Sequence, residues 1–286
     1  MATTVTDFLT KLGIRLKKTI SATSDPTSTQ VYHVINEISD WLSVICMENK
    51  SELGRKTGTI TLADGTASYD DFVDDIIAPD TKGWLLKTYS RDEIVLTTEE
   101  DTLNYSPYAS NETQPEKFYV DMNGNVIFLQ TPETEYTAYI PYWYHQTRIS
   151  AASYTITGAS KASPCVLTFS GGHGFKTGDR IYVADVAGMT ELNSKYYTVT
   201  YVTSTTLSLD GVASTAYTTY TSAGTASVMI PFNGIFDNLY LEAASIRFQS
   251  IEEYQQEVEQ SWLAFLMTEA KKVIEVRKSM IRKVQR

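Results

Sequence analysis

The side chains with which this chain could do chemistry are three histidines, two cysteines and 34 carboxylates. His33, His145 and His173 are scattered, and none accompanies a Gly-x-Ser-x-Gly elbow that would expose a nucleophilic serine. His33 sits beside an apolar helical stripe and His145 follows an aromatic strand, so both read as structural or surface residues. His173 lies in Gly171-Gly172-His173-Gly174-Phe175, which has the glycine content of a phosphate cradle. It lacks the Gly-Lys-Ser/Thr ending and opens no helix, and reads as a turn. Asp70, Asp71, Asp74 and Asp75 would share one face if that segment were helical, yet the ligand alternation of a calcium loop is missing. They read as a solvated acidic face. Asp121, Asn123 and Asn125 give part of a calcium pattern, but Gly124 falls in the wrong place, and the segment reads as a hairpin turn. Cys46 and Cys165 lie in different segments and make neither a metal knuckle nor a disulfide framework. Sixteen acids fall within residues 57–135, so chance carboxylate pairs are certain there and do not single out a glycosidase centre. Tyr136, Tyr139, Tyr142, Trp143 and Tyr144 alternate along one segment, which favours packing over sugar stacking. These residues predict no catalytic centre, no metal and no cofactor.

The elements that carry these residues are set by composition and pattern. With 286 residues, 42% hydrophobic and 20% charged, the chain is globular and has room for two or three packed units. Its formal charge of −10 is poorly suited to gripping phosphate backbones. No apolar run reaches the roughly 18 residues of a spanning helix, so no membrane partner is expected. Met1–Asp7 has no basic region leading into an apolar stretch, which predicts no secretory signal and synthesis inside the cell. The charge is uneven: residues 1–56 carry net +1, residues 57–135 net −12, and residues 271–286 net +6. Such blocks predict different faces or partners for the different parts.

Val5, Leu9, Leu12, Leu16 and Ile20 recur at helical spacing, and the helix is expected to stop near Ser21. Asp25 as cap and Pro26 in the first turn would start a second helix, whose stripe is Val31, Val34, Ile35, Ile38, Trp41, Leu42 and Ile45. After Gly54 the pattern becomes β. Strands are predicted at 57–62, 84–89, 93–98, 117–121, 126–130 and 136–144, with one or two helical turns over 69–77. Asn123-Gly124 marks a hairpin, and Pro141 an edge or a bulge. Residues 150–228 are rich in Thr, Ser, Gly and Tyr, with strand-like runs at 166–169, 180–183, 196–202 and 206–209 that predict a small barrel or sandwich. The end is helical again, over 235–248 and from about Ile251 to Lys283. In the last helix Ile251, Trp262, Val273 and Val284 repeat every eleven residues, with Tyr254, Phe265 and Val276 in a second row. Such a helix would reach roughly 50 Å, too long for its basic end to be covered by the domain itself.

The expected fold is α+β. A discontinuous helical domain is formed by an N-terminal αα-hairpin (1–56) and long C-terminal helices with a basic tail (230–286), packed through Trp41, Ile251, Tyr254, Trp262, Phe265 and Val273. Into it are inserted an acidic antiparallel β domain (57–149) and a small β-barrel (150–229).

Two resemblances are carried by particular residues. His173-Gly174-Phe175-Lys176-Thr177-Gly178-Asp179-Arg180-Ile181-Tyr182-Val183, Gly188-Met189-Thr190-Glu191-Leu192-Asn193, Tyr197-Thr198-Val199 and Leu207-Ser208-Leu209-Asp210-Gly211 resemble the first catalytic-cysteine half-domain of ubiquitin-activating enzymes. That small β-barrel recurs as a decoration in tailed-phage structural proteins. The resemblance does not bring ubiquitin chemistry, because the chain has no room for an adenylation domain or a catalytic cysteine domain.

The remainder is similar to tailed-bacteriophage head-to-tail adaptor (connector) proteins. The order is a helical pair, then a β region with Leu103-Asn104-Tyr105-Ser106-Pro107 and Lys117-Phe118-Tyr119-Val120-Asp121, then a return through Ile230-Pro231-Phe232-Asn233-Gly234 into a long basic helix. The resemblance implies a virion structural protein at the head–tail junction, made in the host cytoplasm and without catalysis. It implies a homo-oligomeric ring, usually of twelve copies, that binds the portal protein and a tail nozzle, tube or stopper protein, while DNA only passes through the lumen. Lys271, Lys272, Arg277, Lys278, Arg282, Lys283 and Arg286 are the expected portal-binding residues, ordering on the portal. The alternative is a tail or fibre-attachment protein whose barrel docks tail fibres or binds host glycans.

Overall fold

The structure, a computed structural model, describes residues 3–70, 75–87, 90–100, 113–121, 125–250 and 255–284. The segment 103–107, the Asn123-Gly124 turn, Asp71, Asp74, Ile251, Tyr254 and Arg286 therefore lie outside the described residues. The fold is α+β, and the chain forms two compact units, Met1–Ile45 with Gln146–Arg286, and Cys46–His145.

In the first unit Thr4 caps α1 (Val5–Leu16), its hydroxyl accepting the Asp7 N–H at 3.1 Å, while Asp7 puts negative charge in the positive first turn. The helix ends at Leu16 rather than near Ser21. Lys17 turns left-handed (φ 54°), and the Lys17 and Lys18 N–H groups satisfy the Ile14 and Gly13 carbonyls at 3.2 and 3.0 Å. Gly13 allows this closure, since a Cβ there would lie 2.7 Å from the Lys18 carbonyl oxygen. Helix α2 (Ser28–Glu48) starts at Thr27, not at Asp25. The Thr27 hydroxyl accepts the Gln30 N–H at 3.2 Å and Gln30 Oε1 accepts the Thr27 N–H at 2.7 Å. This reciprocal box satisfies two orphan donors, where a lone aspartate would satisfy one.

Val31, Ile35, Ile38, Leu42 and Ile45 are fully buried along α2. Trp41 precedes Leu42 by one residue, about 100° around the helix, and is 37% exposed. Asn36 clamps the chain as it enters the barrel, donating to the Ile149 carbonyl at 3.0 Å and accepting the Ile149 N–H at 2.8 Å. The return from the barrel leads into α3 (Asp237–Ser250) and α4 (Gln255–Val284). Helix α1 packs on α3 and α3 on α4. Helix α2 meets α3 through Ser39 Oγ and the Tyr240 hydroxyl, 2.8 Å apart, and through Arg247 and Glu37 at 3.4 Å. On α4 the buried row is Trp262, Leu266, Ala270 and Ile274. Spaced by four, it forms the ridge that small residues Ala243 and Ala244 of α3 let come close. Phe265 and Val273 flank that row, half-buried. Trp262 Nε1 donates to the Ala243 carbonyl at 2.9 Å, with the Arg247 guanidinium 5.2 Å from its ring centre.

The barrel has six strands, β9 (Ser153–Ala159), β10 (Cys165–Phe169), β11 (Arg180–Ala184), β12 (Lys195–Thr203), β13 (Thr206–Leu209) and β14 (Thr225–Val228), closed in the order β10-β13-β12-β11-β14-β9. Alternation aims Cys165, Leu167, Phe169, Ile181, Val183, Tyr197, Val199, Leu207 and Leu209 inward. Burying each of the Leu, Ile, Val or Phe side chains contributes about 1.5–3 kcal/mol. The first and last strands are neighbours, with Ser153 opposite Ser227. Glu191 ties a short 3-10 turn to the loop before β14, accepting the Thr218 N–H at 2.8 Å and its hydroxyl at 2.9 Å. Gly188 (φ +83°) must be glycine, since a Cβ would sit 2.2 Å from the Thr219 carbonyl oxygen.

The second unit is an eight-stranded sheet: β1 (Arg55–Leu62), β2 (Ser68–Tyr69), β3 (Ile76–Pro79), β4 (Lys82–Lys87), β5 (Ser90–Leu96), β6 (Lys117–Val120), β7 (Val126–Phe128) and β8 (Tyr136–Tyr144). The order is β1-β8-β4-β5-β6-β7-β2, with β3 also on β8. Among the described residues the expected helical turns over 69–77 are replaced by strand at both ends. Tyr69 pairs with Val126, and Ile76 with Tyr144, so ladder hydrogen bonds capture these residues. Strand β8 is central, so Pro141 marks no edge. It falls where the second side of β8 changes partner, from β4 at residues 137–139 to β3 at residues 142–144. One face buries Leu62, Leu85, Ile94, Phe118, Phe128, Tyr136, Ala138 and Ile140.

Candidate interaction surfaces

His33 and His145 are exposed. His173 is buried in the barrel, with Phe169, Phe175 and Tyr201 rings 5.0, 5.6 and 5.8 Å from its own, and neither ring nitrogen makes a hydrogen bond to the protein. It is an aromatic packing residue, a role hidden in the sequence by its glycine neighbours. Burial pushes the Cys46 thiol up to about 12 despite the Ser51 hydrogen bond, and pushes Cys165 up as well. Neither is poised as a thiolate nucleophile.

Asp70 is exposed, but Asp75 is engaged. It accepts from Lys56 Nζ at 3.0 Å and from the Tyr142 hydroxyl at 3.1 Å, while Lys56 lies 3.8 Å over the Tyr144 ring. Burial first, and then Asp75, raise Tyr142 above its ordinary value. Arg55 bridges Glu52 and Asp80 beside it. Asp121 accepts the Asn125 N–H at 2.9 Å and its side-chain amide at 3.0 Å, which uses the carboxylate in a turn. Among the described residues no group of three or more His, Cys, Asp or Glu is placed to hold a metal ion, and no helix is long and apolar enough to cross a membrane.

Among the described residues, exposed large apolar side chains other than Trp41 fall in four places. On α4 beyond Ile274, Val276 and Met280, one turn apart, are 53% and 61% exposed. Around them Lys271, Lys272 and Arg277 are exposed and Lys278 is half-buried, with Lys272 bridging Glu269 at 2.6 Å. Arg282 and Lys283 belong to the same helix. Cations at this end suit the helix dipole. The second place is a groove of about 550 Å³ along α1, lined by Leu9, Gly13, Ile14, Lys17, Lys18 and Ile20, with Ile14 73% exposed. The third is the outer face of the sheet, where Leu86 and Val95 are exposed and Tyr119 is half-buried. Tyr119 is raised above its ordinary value by burial and then by the charges of Glu99 and Asp121. The fourth is Tyr201 and Val202 on β12 of the barrel.

Residues 162–229 match the family described as the ubiquitin-activating enzyme E1 FCCH domain. The match takes in five of the six barrel strands and leaves out β9, which closes the barrel. The barrel is thus similar to that domain, as its His173–Val183 and Leu207–Gly211 segments led us to expect. A comparison with curated proteins finds no match to the chain.

Proposed function

We propose that this chain is a structural virion protein, a head-to-tail adaptor that forms a ring beneath a portal and joins the capsid vertex to the tail. The observation that carries this reading is the end of α4, a regular helix with exposed Val276 and Met280 set among lysines and arginines. An amphipathic helix end of this kind suits a groove on another molecule, which would bury its apolar side chains. The portal is the partner assigned to it, a tail tube, nozzle or stopper protein takes the opposite side, and the protein works by assembly. A net charge of −10 disfavours gripping DNA that passes through the ring. The exposed Tyr201–Val202 pair favours a second reading, in which the barrel docks tail fibres or host glycans.

The test removes the helix end. Because Ile274 is buried, the cut is made after Glu275. The shortened chain is expected to keep its circular dichroism and melting behaviour while losing the portal, as seen by negative-stain imaging and light scattering on mixtures. Undiminished portal binding, or a trimeric or fibre-like assembly in place of a ring, overturns the reading.

A further inference from the structure

We infer that the free chain pairs two-fold with a second copy of itself, edge to edge through β1, about an axis at Thr59. Such a pair is isologous, whereas a ring of like-facing copies repeats a heterologous contact. The pair is therefore a state of the unassembled chain and stands independently of the portal. The open sheet has two unlike edges. At one, β2 is two residues long, and its Tyr69 hydroxyl is tied to the Ala63 and Thr66 carbonyls. A very short edge strand is a usual guard against strand addition. At the other, β1 runs for eight residues in unbroken register with β8, from Arg55 opposite Trp143 to Leu62 opposite Tyr136. Its middle, Thr57-Gly58-Thr59-Ile60-Thr61, has no charge, no proline and no bulge. An edge of this length without guards is a template for another strand.

Backbone parity shows which groups of β1 face outward. Successive residues of an antiparallel strand turn their N–H and C=O groups to opposite neighbours. On β8 the Pro141 carbonyl accepts the Asp80 N–H at 2.7 Å. The Tyr139 carbonyl oxygen lies beside Gly83 of β4, where a Cβ would meet it at 2.8 Å. These odd-numbered residues of β8 thus serve β3 and β4, while Ala138, Ile140 and Tyr142 serve β1 through Ile60, Gly58 and Lys56. Thr57, Thr59 and Thr61 are left with N–H and C=O groups pointing away from the sheet. Among the described residues no strand lies on that side. The three threonines are exposed, while Gly58, Ile60 and Leu62 are buried on the inner face. A second β1, antiparallel and centred on Thr59, meets these backbone groups with its own. Thr59 then opposes Thr59, Thr57 opposes Thr61, and Ile60 of each copy covers Gly58 of the other. Lys56 opposes Leu62 and Arg55 opposes Ala63, so no like charges meet, and threonine pairs across strands are favourable. Centring on Gly58 would set two glycines opposite each other and leave the inner face open there.

Single-site variants of the whole chain, without a portal, test this. Cys46 and Cys165 are buried and stay out of the cross-linking reaction. Residues opposed in this register lie about 5.5 Å apart at Cα, within reach of a disulfide. With oxidised glutathione, Thr59→Cys is expected to cross-link to a dimer by itself. Thr57→Cys and Thr61→Cys are each expected to stay single alone and to join when mixed. In sedimentation velocity over a concentration series, the wild-type chain is expected to form dimers. Thr59→Pro removes the central donor of both copies and is expected to need at least about tenfold more protein (~1.4 kcal/mol of association). An edge N–H that faces solvent tolerates proline, and circular dichroism checks the fold. Thr59→Lys keeps the backbone, sets two cations at the centre of the pair, and reads the same loss if the proline variant misfolds. A wild-type chain that stays monomeric throughout leaves the edge to a strand of another protein and overturns the pair. Cross-linking in another pattern, or wild-type pairing by the folded Thr59 variants, overturns it as well. None of these outcomes bears on ring formation with a portal.

Discussion

The barrel and the acidic sheet are both built from short strands, yet they solve the problem of an open edge in opposite ways. The barrel closes on itself through β9, turns its apolar side chains inward and shows an outer surface of Thr, Ser and Tyr. Among the described residues the sheet runs from β1 to β2 without closing, holds charge in bridges such as Lys56–Asp75 and Arg55–Asp80, and leaves Leu86 and Val95 outside. A closed strand set satisfies its own backbone and has no edge to offer, whereas an open one has edges and a second face that other molecules can cover. The two strand sets thus differ in whether the backbone of their outermost strands is satisfied within the set.

The largest effect should come from breaking the closure. A fragment of residues 150–229 is expected to unfold cooperatively by itself, while residues 162–229, which lack β9, should show no folded baseline in near-ultraviolet circular dichroism. A stable shorter fragment would mean that the barrel does not depend on β9. Next comes the polar support of the sheet. Asp75→Ala removes the acceptor of Lys56 and Tyr142 together, and should cost about 1–3 kcal/mol in urea unfolding; a change below a few tenths would show that these contacts are incidental.

The smallest effects concern pH. Glu191 is held below its ordinary 4.5, first by the Thr218 N–H, so its contribution is present above that value and is lost as pH falls through its lower folded value. Tyr197 is pushed from 10.0 up to about 12 by burial, so its contribution is intact below 10 and lost between there and 12. Thermal melts of the barrel fragment should narrow at both ends, and Glu191→Gln should remove the acid limb only. An unchanged acid limb in that variant would assign the sensitivity to other carboxylates.

Pattern reading reached those parts of the fold in which side-chain periodicity decides the structure. The α2 stripe, strand β8 and four barrel strands all alternate or repeat clearly. It passed over β9 and β14 because Ile156 and Ala226 are their fully buried apolar residues, and such strands form through pairing with neighbours distant in sequence. Helix ends were misplaced where backbone chemistry outweighs periodicity, at Lys17 after Gly13 and at Thr27 with Gln30. On α4 the eleven-residue rows favoured large side chains, while the buried row runs through small Ala270. The cations of residues 271–286 were visible in the sequence, but the exposed pair Val276 and Met280 was not, because only a structure shows which side chains of a helix stay uncovered.

The pairing of β9 with β14 has a consequence for the entropy of the host chain. Ser153 and Ser227 sit opposite each other on neighbouring strands, so the ends of the folded barrel are held about 5 Å apart. To the rest of the chain the whole module then amounts to a loop of one or two residues, and once folded it adds almost no closure entropy to the step that brings Ile149 and Met229 together. A module held by both ends in this way costs the helices that carry it little chain entropy, and its influence on them runs instead through its packing on α1.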